Sequence, residues 1–170
     1  MGMVDQAVIN FACYEDAKDF LGLASVTLPD VDFIVATVSG AGNVEAPIIG
    51  HMNAMTAQLK FRTFSAESLK LLEPREHNID LRAPQQVYDP IAGVYKTQSV
   101  KHVLVLVPKT LSNGNIAPAS PTDGSGSYAV RRWVTYIDDA KVMELDPYNY
   151  ICEVNGVDYL SDTRKALGKS

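Results

Sequence analysis

The strongest constraint on this chain is the run VLVLV at 103–107, set within the extended stretch Tyr95–Val107. Unbroken β-branched and leucine residues favour a pleated strand, so this segment is expected in a sheet interior. A second long run, YAVRRWVTYIDDAKV at 128–142, sets Val130, Val134 and Tyr136 among Arg131, Arg132 and Thr135 and is its expected partner. Met55, Ala57, Leu59 and Phe61 alternate with Thr56, Gln58, Lys60 and Arg62, the period of a strand that buries one side. Residues 7–13 and Leu21–Leu28, joined by polar Glu15–Asp19, form a candidate hairpin. Phe33–Val38 is mostly apolar and calls for cover on both faces or a packing neighbour. Ile79–Val87 returns to strand character, with Pro84 at an edge or bulge. Tyr148–Val154, a type I′ turn at Asn155-Gly156 and a return over Val157–Leu160 form a last hairpin.

Helical signals are short. Ser65–Glu73 has Ser65 as a possible N-cap, Leu69 and Leu72 on one face, and Pro74 as a stop. Ser161 is the expected cap of a final helix, with Asp162 in its first turn and Gly168 near its end. The expected fold is therefore mainly β: an antiparallel β-sandwich or partly closed barrel with one short internal helix and a short C-terminal helix. A length of 170 residues suits one domain spanning 1–170. A hydrophobic fraction of 46% against 21% charged residues is that of a folding chain, not a disordered one. The Pro/Gly/Ser-rich stretch at 108–127 is expected as an exposed, mobile loop inside that domain, since residues 128–170 are too few for a separate core.

Several functions are disfavoured. A net charge of −5 argues against general nucleic-acid binding, although acidic walls would let nucleic acid slide past without sticking. No apolar run has the length of a membrane span, and the start lacks the order of a signal peptide, so no membrane anchor is expected. The opening Met-Gly fails as a myristoylation signal because position six holds Gln6. Cys13 and Cys152 have no metal-ligand spacing; they are read as buried thiols in a reducing compartment, or as a disulfide between the terminal strands. His51, His77 and His102 are scattered and read as surface or strand-face residues, so no metal or other cofactor is expected. Ser39 lacks the flanking pattern of a nucleophile elbow, and SGAGNVEAPIIG lacks the GK[ST] ending of a phosphate loop. Asp138 and Asp139, read as adjacent strand residues, point to opposite faces and form no acid pair. No enzyme is expected.

One stretch carries more specific information. In SVTLPDVDFIVATVSGAGNVEAPIIG, Val26, Thr27, Leu28 and Pro29 lead into a strand, followed by Gly40, Ala41 and Gly42 and then Pro47, Ile48 and Gly50. Near the other end, Glu153–Leu160 runs into Ser161–Gly168. The order and spacing of these pieces resemble the major tail tube protein family of contractile phage tails and related injection systems. That resemblance implies a structural subunit whose hexameric rings join sheet to sheet and stack into a hollow tube, closing the edges that long antiparallel strands leave open. It further implies a sheath protein, a baseplate hub and a tape measure protein as partners, with DNA or an effector passing through the lumen without specific binding. The implied location is a virion tail assembled in the bacterial host cytoplasm. Phe33, Ile34, Val35, Gly40, Gly42, Asn43, Val44, Pro47 and Ile48 lie on the motif and are the implied assembly contacts, with Gly40–Gly50 a mobile segment that orders against the next ring. Glu76, Asp80 and Asp89 are candidate lumen-facing acids. The rival readings are a carbohydrate-binding or adhesin-like β-sandwich using Tyr148, Tyr150 and Trp133, and a hydrolase whose groups meet only in three dimensions.

Overall fold

A computed structural model of the chain describes residues 2–15, 19–20, 23–63 and 66–169. Its first strands are β1 (Val4–Val8), β2 (Ala12–Glu15), β3 (Asp19–Phe20), β4 (Leu23–Thr27), β5 (Phe33–Ser39), β6 (Asn43–Met52) and β7 (Met55–Phe61). Helix α1 (Ala66–Lys70) precedes β8 (His77–Arg82), β9 (Gln85–Asp89), β10 (Val94–Gln98), β11 (Val100–Ser112), β12 (Gly124–Ile137) and β13 (Ala140–Asp146). A 3-10 turn at Pro147–Asn149, β14 (Ile151–Val154), β15 (Val157–Asp158) and helix α2 (Ser161–Ala166) follow.

The architecture is mainly β and antiparallel, as expected, and among the described residues the sheet does not close into a barrel. The main sheet runs β15-β14-β13-β12-β11-β8-β2-β3, with β7 joining β12 to β4. A small sheet, β1-β9-β10, and a two-stranded ribbon, β5-β6, stand apart from it. The VLVLV strand is interior: β11 lies between β8 and β12 and pairs with β12 from Val100↔Ile137 to Ser112↔Ser125. Leu104 and Leu106, both fully buried, sit opposite Trp133 and Val130. β7 buries Met55, Ala57, Leu59 and Phe61 as its alternation requires.

β12 does not alternate evenly. Leu106 faces Val130 and Val105 faces Arg132, so Arg131 is an extra residue, a bulge. Before it Gly126, Tyr128 and Val130 are buried; after it Trp133 and Thr135 are. The bulge also marks where the strand's outer neighbour changes from β7 to β13.

Several expectations need correction. The stretch 7–13 is split: β1 pairs with β9, whereas β2 pairs with β8 and, antiparallel, with the short β3, and among the described residues β4 pairs with β7 instead of with β1 or β2. Parts of that connection, 16–18 and 21–22, lie outside the described residues, as does the Ser65 cap. Ile79–Val87 is two strands in two sheets, β8 and β9, and Pro84 falls in the break where no ladder bond is lost. Tyr95–Val107 is likewise divided at Ser99 between the small and the main sheet. Helix α1 ends at Lys70, and the turn after it swings Leu71 into the core while Leu69 and Leu72 remain exposed.

The exposed stretch at 108–127 is shorter than expected. Pairing of β11 with β12 continues to Ser112↔Ser125, and Gly124 pairs with Phe61 of β7, leaving a loop over 113–123 that is tied down by Thr122 N–H to the Arg62 carbonyl (2.9 Å). Asp138 and Asp139 form a two-residue turn between β12 and β13, with φ of 49° and 64°. The Asn155-Gly156 turn forms as expected, with φ of 51° and 83°. Leu160, not Ser161, occupies the cap of α2, and Ser161 is its first helical residue. Cys13 and Cys152 are free thiols buried in the core, so the disulfide alternative falls. His77 opens β8 and is fully buried there, a strand-face and not a surface residue.

Candidate assembly surface

β5 and β6 pair from Ser39↔Asn43 through Thr37↔Glu45 to Val35↔Pro47. Gly40, Ala41 and Gly42 form the tip, where Gly40 N–H donates to the Gly42 carbonyl (2.8 Å) and the Ser39 hydroxyl lies 3.1 Å from Asn43 Oδ1. Gly40–Gly50 is thus mostly strand, not a loose loop, because cross-strand pairing from Asn43 onward satisfies its backbone. Below Pro47 the register breaks, and Ile48–His51 stand opposite Ile34 alone. Within this irregularity lies Gly50, whose φ is +79°.

The ribbon's surface is apolar on both faces. Phe33 and Val35 alternate with Ile34 and Val38, and every residue of β5 is exposed. The expected cover for Phe33–Val38 is therefore absent within one subunit. On β6, Val44 and Ile49 are 65% and 64% exposed. Monomeric proteins rarely leave such apolar patches open, an isolated two-stranded ribbon is marginal in water, and among the described residues both of its outer edges are unpaired. The structure brings all nine motif residues, Phe33 to Ile48, onto this one ribbon. Val38 and Ile49, in the same apolar runs, share it.

The three acids named from the sequence sit on separate elements. Glu76 is exposed and pairs with Arg131. Asp80 is buried in the main sheet, engaged by Arg82 (3.1 Å) and Lys101 (3.8 Å), and its burial removes it from the lumen-facing candidates. Asp89 closes the turn after β9 by accepting from Ile91 N–H at 3.0 Å.

The most concentrated charge lies inside. Glu15 is fully buried, and its Oε1 meets His77 Nδ1 at 2.6 Å and Arg75 Nη2 at 3.0 Å, with Lys70 Nζ 3.6 Å from Oε2. His77 Nε2 donates to the Glu73 carbonyl at 2.9 Å. The exposed Glu73 carboxyl is held below its usual range by its hydrogen bond from Arg75. This cluster pins β2 and β8 to the segment after α1, and its members are engaged with one another. Among the described residues no three His, Cys, Asp or Glu side chains could hold a metal ion. The aromatic platform of the carbohydrate-binding reading is not assembled: Trp133 is buried, while Tyr148 is exposed beneath the Arg131 guanidinium.

The chain is thus an open antiparallel sheet with a separate, uncovered apolar ribbon beside it. The family model described as phage tail tube protein FII matches residues 5–168, and the chain belongs to that family. It is a structural subunit of the tail tube of a phage or phage-like injection particle. No curated protein sequence matches the chain. Among solved structures it is similar to the sheath/tube terminator of the extracellular contractile injection system PVC in its extended state. That likeness has a TM-score of 0.55 at 12% identity, covering 76% of this chain and 94% of the other. A chain of the PVC sheath-tube complex in the extended state gives a TM-score of 0.53 at 13% identity, covering 75% and 88%. The tube-terminating cap of the anti-feeding prophage gives 0.52 at 14%, covering 74% and 87%. At such identities these likenesses concern the fold.

Proposed function

We propose that residues 1–170 act as one tail-tube domain that closes into hexameric rings, and that the rings stack into a hollow tube enclosed by a sheath protein. In this reading a baseplate hub nucleates the tube, a tape measure protein occupies it, and DNA or an effector passes through without specific binding. The protein performs no catalysis, and assembly takes place in the bacterial host cytoplasm before the tube becomes part of the tail. The observation that carries the proposal is the β5–β6 ribbon, apolar on both faces and exposed along the whole of β5. A ring neighbour that covers it removes apolar surface from water and pairs the free edges in one step.

Negative-stain electron microscopy with sedimentation, at low and high concentration, tests this. The expected result is rings or hollow tubes for the unaltered chain and dispersed subunits for Val44→Lys, whose charge is tolerated on an exposed strand but not in a covered interface. Tubes formed equally by Val44→Lys would remove the ribbon from the interface. A chain that stays monomeric at every concentration, even with baseplate supplied, would overturn the assembly reading.

A further inference from the structure

We infer that the C-terminal segment 158–168 is a clamp that fixes the angle of the β5–β6 ribbon to the body; this rests on the ribbon being the assembly surface. The ribbon belongs to neither larger sheet, and it meets the body at its base. There Asn53 N–H donates to the Asp32 carbonyl (2.8 Å), and Met52 packs on the core. Two connections at one end leave a lever free to swing.

A third contact stops it. Gly50 is buried against Leu160, itself 6% exposed, and a Cβ on Gly50 would stand 2.6 Å from Leu160 Cγ and 3.1 Å from Cδ1. Only glycine fits that gap, and only glycine adopts its φ of +79° without strain. Leu160 is held in turn from several sides. Its N–H donates to Asp158 Oδ1 (3.1 Å), and its carbonyl accepts from Arg164 N–H (2.9 Å). The Arg164 guanidinium binds the Asp158 carboxylate and donates to the Tyr150 carbonyl (2.8 Å). A continuous path of contacts therefore runs from the 3-10 turn through Arg164 and Asp158 to Leu160 and the ribbon.

An apolar crevice of ≈ 380 Å³, lined by Ile48, Ile49, Met52, Pro147 and Leu160 among others, borders the contact. Without Leu160 the base of the ribbon has room to tip into it. A neighbouring subunit needs the ribbon at one angle, and fixing that angle beforehand lowers the ordering cost of association. The glycine of the Pro-Ile-x-Gly element and the distant C-terminal segment are thus two halves of one device.

The test reads the angle directly. Spin labels at Ala41→Cys on the tip and Thr110→Cys on β11 report their separation in the free subunit; buried Cys13, its thiol pushed up to about 12, and buried Cys152 stay unlabelled. The expected distribution is narrow in the labelled parent, and shifted and broadened in Leu160→Ala and in Arg164→Ala. Arg164→Ala removes a partly exposed side chain and carries the test if Leu160→Ala does not fold. A broad distribution in the parent, or one unchanged in the folded variants, overturns the clamp. Tube formation, scored on the same samples, separates the two ideas: a narrow, Leu160-dependent distribution in a chain that never assembles upholds the clamp and counts against the assembly role.

Discussion

The Glu15 carboxylate and the His77 imidazole meet at 2.6 Å with neither side chain reaching water. Removing one partner of a buried hydrogen bond leaves the other short of a partner, at a cost of about 1–3 kcal/mol. His77→Ala is therefore expected to lower unfolding stability by that amount in urea titrations at neutral pH, loosening β2 from β8. A loss under about 1 kcal/mol, the range of an exposed pair, would show that the cluster is solvated.

His102 and Trp133 supply an optical reporter. Trp133, the single tryptophan, donates from its indole N–H to His102 Nδ1 (3.2 Å), and the Thr135 hydroxyl lies 2.9 Å from the same nitrogen. Both contacts are made to an unprotonated Nδ1, and burial holds the His102 pKa below its ordinary 6.5. A folded-state value below the unfolded one means that the contribution to stability is complete above 6.5 and is lost as pH falls through the folded value. Trp133 fluorescence should titrate with a midpoint below 6.5, and His102→Gln should abolish the titration. A midpoint above 6.5 would contradict the geometry.

Gly126 lies beneath the Tyr128 ring on the same face of β12. A Cβ there would stand 2.7 Å from Tyr128 Oη, and Tyr128 is itself 1% exposed. Gly126→Ala is expected to cost about 1–3 kcal/mol from overpacking. In a Tyr128→Leu background the same alanine should cost less, since the ring it strikes has gone. Equal penalties in the two backgrounds, read from a double-mutant cycle, would refute the contact.

Asp158 is held below its usual carboxyl range by its hydrogen bond from Arg164. A depressed folded-state value contributes stability that is present above 3.8 and lost as pH falls through the folded value. The protection of α2 amides against exchange, taken relative to the intrinsic rate at each pH, should therefore fall in acid, with Asp158→Asn weakly protected at every pH. Acid-insensitive protection in the unaltered chain would count against this pairing.

The sequence disclosed those parts of the fold in which one face of one strand decides the outcome. Met55–Phe61 buries the face its alternation asks for, the VLVLV strand lies inside the sheet with Leu104 and Leu106 buried and Val103, Val105 and Val107 half-buried, and Asn155-Gly156 turns as its residues prefer. Legibility ended where a residue slips out of period. Arg131 shifts the phase of β12, Pro84 and Ser99 mark changes of sheet, and Asp138-Asp139 makes a turn without glycine. The ribbon was visible as a motif, but its lack of cover was not, since an apolar run looks the same whether its partner is within the chain or beyond it. Gly50 and Leu160 stand 110 positions apart, and Glu15 and His77 stand 62 apart. No local pattern links residues at such separations.

The divided neighbour of β12 has a mechanical consequence. β7 lies along Gly124–Val130 and β13 along Trp133–Ile137, while β11 spans almost the whole strand on the other side. This is the geometry of a lap joint. A pull that draws the β7 end away from the β13 end loads many transverse hydrogen bonds in shear at once, instead of peeling them one after another. Along β12 the joint is loaded in shear, whereas a force that lifts an edge strand from the side peels its bonds one at a time.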